Sequence, residues 1–266
     1  MDSSSIKRII EGSADKGLQE FYEKDYERAD DIADIPKHDD FMYAQVIHEL
    51  QSYLRPHMDV LDLGCNNGNL SLYMALHGCH VLGIDIARNA VINAKKSASY
   101  YNIQNVRFEA MDFLSQWRER EKFDLILCSH ILEHVPQDDL FLRKLFFTTK
   151  KGGTLLLIVP TVYSSFYMLN KCIKGYVAFD REVGHLRRYS KTSLCNAVRT
   201  AGFEIKKTVF LDSVLRDWFI LEKQLRRFNV VWGLPLVRAA FNHCDSSLAR
   251  LFLFPSSVCV HAQKIS

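Results

Sequence analysis

"VLDLGCNNGNL" (Val60–Leu70) runs from an apolar strand, through a turn holding two glycines, into a helical pattern. That is the strand–loop–helix unit from which parallel α/β sheets are built. A dinucleotide loop needs Gly-x-Gly-x-x-Gly so that the backbone can approach a pyrophosphate. Here those three positions read Gly64, Asn66 and Asn69, which disfavours a nicotinamide dinucleotide. Asn is the non-glycine residue that best tolerates a positive φ, so the turn is expected to survive with Asn66 in it.

Outward from this loop, short apolar runs alternate with helical patterns. Strands are expected at about 58–63, 80–84, 105–109, 123–128 and 153–159, with helices at about 68–77, 88–101 and 136–149. The runs "DVLDL", "HVLGI", "FDLILC" and "GTLLLIV" are nearly continuous in apolar residues, as strands covered on both faces must be. The expected fold is α/β, a doubly wound Rossmann-like sheet. "GFEIKKTVFL" and "SSVCVHAQK" read as two further strands separated by more than 40 residues of helical periodicity. One structural domain is expected, in five stretches: N-terminal helices as a lid (1–55), the ligand-binding core (56–160), a connection and sixth strand (161–211), a helical insertion (212–255) and a last strand (256–266).

The chain has 266 residues, of which 48% are hydrophobic, enough for a sizeable core. Its net charge of +3 is too mild to point to nucleic acid. Residues 1–40 nevertheless hold twelve acids against six bases. We read that segment as a solvated acidic helix, with an acidic lid over the basic body as the alternative. The seven cysteines form no Cys-x-x-Cys pair and no zinc-spaced cluster, and no signal peptide or bilayer-spanning run is apparent. A soluble cytoplasmic protein is expected.

Ligands of open parallel sheets bind beyond the carboxyl ends of the strands. About 20 residues after the loop, "GIDI" places Asp85 where a carboxylate can accept both hydroxyls of a ribose. "AMDF" places Asp112 for an exocyclic amine, with Phe113 or Met111 to cover an adenine face. Carboxylates at successive strand ends suit an adenosine with a cationic tail and no phosphate.

With "VLDLGCNNG", "GIDI", "AMDF", "FDLILCSHILEHV" and "KKGGTLLLIVP" in this order, the chain resembles the class I S-adenosylmethionine-dependent methyltransferases, in particular the branch like the ubiquinone-biosynthesis O-methyltransferases. The resemblance implies a seven-stranded sheet ending in an antiparallel hairpin, and S-adenosylmethionine as cofactor. It implies that Asp62, Gly64 and Gly68 bound the pocket for the methionine portion, with Cys65 and Asn66 in the same loop. It further implies Asp85 and Ile86 at the ribose, Asp112 and Phe113 around the adenine, and Cys128, Ser129 and His130 alongside the sulfonium. The departure is Asn66, where the family commonly has glycine.

Transfer of a methyl group to a hydroxyl needs a base, and His suits that work near neutral pH. His130, Glu133 and His134 on "SHILEHV" are candidates, as is His185 in "DREVGHLRRYS", where Arg188 and Tyr189 could also meet the acceptor. The bland alternatives are a structural His134 bonded to backbone and a helix-entry loop capped by Ser190. Ubiquinone-type relatives carry Glu-x-x-Glu-His in this stretch. Because His130 replaces the first Glu, no metal is expected here, and a divalent ion on His130, Glu133 and His134 is the weaker alternative.

The expected function is methylation of a small-molecule acceptor, on oxygen. Enzymes acting on base or amide nitrogens carry [Asn/Asp]-Pro-Pro-aromatic after the fourth strand, where this chain has "CSHI"; arginine methyltransferases need two glutamates there. The alternatives are a non-catalytic cofactor-binding partner subunit and a methyltransferase of a lipid-linked acceptor. The insertion, with Trp218, Phe219, Trp232, Phe241, Phe252 and Phe254 beside Arg226, Arg227, Arg238 and Arg250, could pack as core, form a homodimer face or rest on a membrane surface.

Overall fold

The computed structural model describes residues 32–40, 42–164, 180, 183–216, 235–251 and 254–265. Its elements are α1 (Ala44–Gln51), β1 (Asp59–Leu63), α2 (Asn69–Leu76), β2 (His80–Asp85), α3 (Arg88–Tyr100), β3 (Val106–Ala110), α4 (Phe113–Gln116), β4 (Phe123–Ser129), a single 3-10 turn (Leu132–His134), α5 (Asp138–Thr148), β5 (Thr149–Pro160), α6 (Lys191–Thr200), β6 (Glu204–Leu211), α7 (Pro235–Arg250) and β7 (Ser257–Gln263).

The seven strands form one sheet in the order β3-β2-β1-β4-β5-β7-β6. Strands β1 to β5 are parallel, and β7 pairs antiparallel with both β5 and β6. The expected doubly wound sheet with an antiparallel last hairpin is therefore present. The order reverses between β1 and β4, which puts the crevice for a ligand at their carboxyl ends.

Why the central strands are continuously apolar follows from the layers. Leu61, Leu63, Ile126, Leu155 and Leu157 point into one core, and Val60, Leu125, Leu127, Leu156 and Ile158 into the other. At about 25 cal/mol per Å², each buried aliphatic side chain contributes roughly 1.5–3 kcal/mol, so neither face tolerates a polar residue without a partner. The buried charged residue of β1, Asp62, has such a partner in Ser71 of α2, whose hydroxyl donates to Oδ2 at 2.5 Å.

The strand boundaries differ from expectation mainly at β5, which begins at Thr149 and shifts register opposite Phe123 and Leu125. Two elements had no periodic signal because they are a turn long: α4, capped by the Asp112 side chain, and the 3-10 turn. Ser190 caps α6 as expected, accepting from the Ser193 amide at 3.0 Å.

Of the insertion, α7 packs against α1 and β6. Residues 217–234, with Trp218, Phe219, Trp232, Arg226 and Arg227, lie outside the described residues, as do 1–31 and Phe252. No helix among the described residues is long and apolar enough to cross a membrane.

Candidate active site

The loop after β1 is built from left-handed backbone. Gly64 has φ 75°, Asn66 φ 53° and Gly68 φ 91°. The amides of Gly64 and Cys65 both donate to the Ile84 carbonyl, at 2.8 and 3.0 Å, tying the loop to the end of β2. Asn66 adopts the positive φ expected of it, and its side-chain oxygen accepts from the Asn67 amide at 2.6 Å. That local bond is one a glycine could not make.

Asp85 closes the other side of this loop. Its Oδ2 accepts from the Asn66 amide and its Oδ1 from the Ala87 amide, both at 2.9 Å. The carboxylate is thus held rigidly at the edge of the loop. Asp112 shows a sharper signal. Its Oδ1 caps α4 through the Leu114 amide at 2.9 Å, whereas its Oδ2 is buried with no hydrogen bond among the described residues. A buried acceptor left unmade costs about 1–3 kcal/mol, which a ligand N–H would recover.

These groups surround a cavity of about 290 Å³ at the switch point. Gly64, Asn66, Asp85, Ile86, Asp112, Phe113 and Ser129 line it, with His130 and His134 at one side. Four of the cofactor-binding candidates from the sequence do not line it, nor do Glu133 and His185. Cys65 and Cys128 are buried behind the wall, and Gly68 faces Phe108, whose ring would lie 2.9 Å from an added Cβ. Asp62 is also buried, and its desolvation, opposed by the Ser71 bond and reinforced by the charge of Asp85, pushes its pKa up to about 6.

At Gly64 an added Cβ would fall 2.1 Å from Cδ1 of Ile131, so its missing side chain makes room for that residue. Ile131, Leu114, Val135, Pro136 and Phe141 line the cavity without having been singled out in the sequence. Nothing in their spacing marks them, because they are ordinary apolar residues that tertiary folding brings to one place.

Beside the cavity, Glu133 is fully buried in the 3-10 turn. His130 Nδ1 lies 3.3 Å from its Oε1, and His134 Nε2 and His185 Nε2 each lie 3.9 Å away. The His130 contact is an ion pair outside hydrogen-bonding geometry, so neither carboxylate oxygen has a hydrogen bond among the described residues. Burial would raise the Glu133 pKa, but His130 and His134 outweigh it and hold the carboxyl below its usual value. Burial pulls His134 below its ordinary value despite Glu133, whereas for His130 the carboxylate overcomes desolvation and the net shift is upward. His130 itself has φ 55°, and His is among the few side chains that enter this region with any frequency.

Among the described residues of the 180–190 segment, only His185 joins this cluster. The Arg188 guanidinium grips Asp180, with Nη2 to Oδ1 at 2.8 Å, and the Tyr189 hydroxyl donates to Asp138 at 2.7 Å. His134 does bond to backbone, through Nδ1 to the Gly184 carbonyl at 3.1 Å. Among the described residues, Glu133, His134 and His185 place one ligand-type atom each within 4.8 Å of one another, so the convergent set contains His185 where the sequence suggested His130.

Residues 37–208 match the model of a methyltransferase domain family. The chain belongs to this family. It is similar to the ubiquinone biosynthesis O-methyltransferases of Coxiella burnetii, 30% identical over 118 residues (44% of this chain and 46% of the relative), and Glaesserella parasuis, 37% identical over 114 residues (41% and 48%). The chain's match thus spans about half the length of these curated relatives. An S-adenosylmethionine-dependent methyltransferase from Mesorhizobium loti has the same fold, with a TM-score of 0.57 at 17% identity over 83% of this chain and 97% of that one.

Proposed function

We propose that this methyltransferase moves the methyl group of S-adenosylmethionine to an oxygen of a small-molecule acceptor. S-adenosylmethionine is the cofactor of the solved methyltransferases that share the fold, and the cavity has the groups to hold it. The carrying observation is the buried Oδ2 of Asp112, which lacks the donor that an adenine amine would supply. Asp85 takes the ribose, and the Gly64–Asn66 turn and Ile131 bound the methionine end.

The transfer is an in-line displacement in which the acceptor oxygen forms a bond to the methyl carbon as the carbon–sulfur bond breaks, leaving a neutral thioether. Holding the reactants in line in a dry site supplies most of the acceleration. The hydroxyl proton passes to a base, and His130 is the candidate at the cavity wall, with Glu133 positioning its ring. Because Glu133 raises the His130 pKa, kcat/KM should climb with pH through a midpoint above that of an ordinary histidine.

Production of S-adenosylhomocysteine from S-adenosylmethionine and a metabolite extract tests the reading. His130→Ala should lower that turnover at least about 100-fold while calorimetric cofactor affinity stays within about threefold. Cofactor binding with no product from any extract would favour a non-catalytic partner subunit. Stabilisation by a nicotinamide dinucleotide instead of S-adenosylmethionine in a thermal-shift comparison would overturn the cofactor.

A further inference from the structure

A second cavity, of about 280 Å³, opens between α1, the end of β6 and α7, and it shares no lining residue with the cofactor cavity. Helical spacing builds its walls. His243, Ser246, Ser247 and Arg250 stand at i, i+3, i+4 and i+7 on α7 and so share one face, as Ala44 and His48 do on α1. Small residues keep the space open. Ala44 fills little of it, and the hydroxyls of Ser246 and Ser247 turn back to the His243 carbonyl at 3.0 and 2.8 Å.

The polar groups around this cavity divide by sign, and the acceptors are already engaged. Glu49, the carboxylate among the described lining residues, meets Lys207 Nζ at 2.6 Å and His261 Nε2 at 3.0 Å. The Gln45 side-chain oxygen accepts from the Asp212 amide at 3.0 Å, and that of Asn242 from Arg216 Nη2 at 3.1 Å. His38 packs its ring edge-on against Tyr73. What remains is His48, His243 and Arg250, all exposed and none with a hydrogen bond or ion pair among the described residues.

These three groups favour one kind of ligand. A guanidinium only donates, and an imidazole that takes up a proton donates from both nitrogens. With Glu49 neutralised by Lys207, Arg250 sets the sign of the wall, so an anion is attracted and a cation is not. A phosphate monoester carries close to two charges and three acceptor oxygens, enough to engage the Arg250 fork and both imidazoles together, whereas a carboxylate has only two oxygens. Val209 and Leu211 of β6 add an apolar side to the floor, which the carbon part of an ester can cover. The volume stands at the small end of ligand sites, roughly 300–1,000 Å³, which suits a small ester.

We propose that the cavity between α1, β6 and α7 binds a phosphate monoester group, with Arg250, His48 and His243 as its donors. The site is separate from the methyl-transfer cavity and stands or falls independently of it.

Calorimetry of the full chain with glycerol 1-phosphate tests this, in about 150 mM NaCl so that loose surface attraction is largely screened. About one ester per chain with a Kd below about 1 mM is expected, while glycerol gives no binding heat. Arg250→Gln should weaken binding at least about tenfold, and His48→Gln or His243→Gln at least about threefold each. All three side chains are exposed, so the variants should fold, which circular dichroism on the same samples checks. Their S-adenosylmethionine affinity should stay within about twofold of wild type, because the two cavities share no residue. Sedimentation with phosphatidylcholine vesicles containing phosphatidic acid distinguishes the source of the phosphate. Pelleting that Arg250→Gln abolishes assigns it to a lipid headgroup; glycerol 1-phosphate binding without such pelleting assigns it to a free ester. Failure of both glycerol 1-phosphate binding and variant-sensitive pelleting would overturn the site, as would equal ester affinity in wild type and the folded variants. Neither result touches the methyltransferase reading, which rests on the other cavity.

Discussion

At Asn66 the backbone stands at φ 53°, and the side chain accepts from the following amide at 2.6 Å. Both properties matter, because a left-handed residue with a Cβ costs about 1–2 kcal/mol unless something local offsets it. Asn66→Gly removes the steric cost together with the hydrogen bond, and the two nearly cancel. Its S-adenosylmethionine Kd should stay within about threefold of wild type, since 1.4 kcal/mol corresponds to tenfold. Asn66→Val loses the bond and adds a β-branched side chain in the forbidden region, so binding should weaken at least about tenfold. Calorimetry on the two variants decides this, and a valine variant that binds normally would show that the loop does not need its left-handed turn. The asparagine that looks like a defect in a dinucleotide loop is, in this structure, the residue that lets the loop turn without a third glycine.

Among the elements, α1 shows how the covering helices are fastened. Glu49 on α1 is buried and meets Lys207 of β6 at 2.6 Å and His261 of β7 at 3.0 Å. Burial alone would raise its pKa, but the bonds to His261 and Lys207 bring it down to about 2. With the folded pKa below the unfolded one, the stabilisation is complete above about pH 4.5 and disappears as pH falls toward 2. Glu49→Gln should therefore unfold about 2–4 kcal/mol more easily at pH 7, with the gap closing between pH 4.5 and 2 in urea titrations. A gap independent of pH would mean that shape rather than charge fastens α1. This contact was not legible in the sequence: Glu49 and Lys207 are 158 residues apart, and each alone reads as a solvated surface charge. The strands were legible, because Val60–Leu63 or Leu125–Cys128 must be apolar throughout to lie between two covered faces. The candidate site divides in the same way. Asp85 and Asp112 could be placed from their positions at strand ends, whereas Ile131 over Gly64 and His185 beside Glu133 depend on contacts that no local pattern encodes.

For the whole molecule, the remaining question is whether the helix inserted before β7 is part of the domain or an appendage to it. Asp245 on α7 answers through its bonds. It is fully buried, and its oxygens accept from the Gln45 side chain of α1 at 2.7 Å, from the Ser213 amide and hydroxyl at 3.0 and 2.6 Å, and from the Arg216 amide at 3.1 Å. The Arg216 guanidinium, itself buried, reaches the same carboxylate at 3.3 Å and Asp212 at 2.8 Å. One carboxylate thus joins α1, the end of β6 and α7, and none of these residues lines the cofactor cavity. Replacing it leaves Arg216 buried with a weakened partner, which typically costs about 3–5 kcal/mol. Asp245→Ala should lower the unfolding free energy by about that amount in a single transition. The extra stabilisation from saturating S-adenosylmethionine should match that of wild type, since it depends only on ligand concentration and the affinity of the distant pocket. A second, earlier transition would mark α7 as an independent unit; a diminished cofactor effect would show that the insertion reaches the pocket through α1, making this helix part of the catalytic architecture.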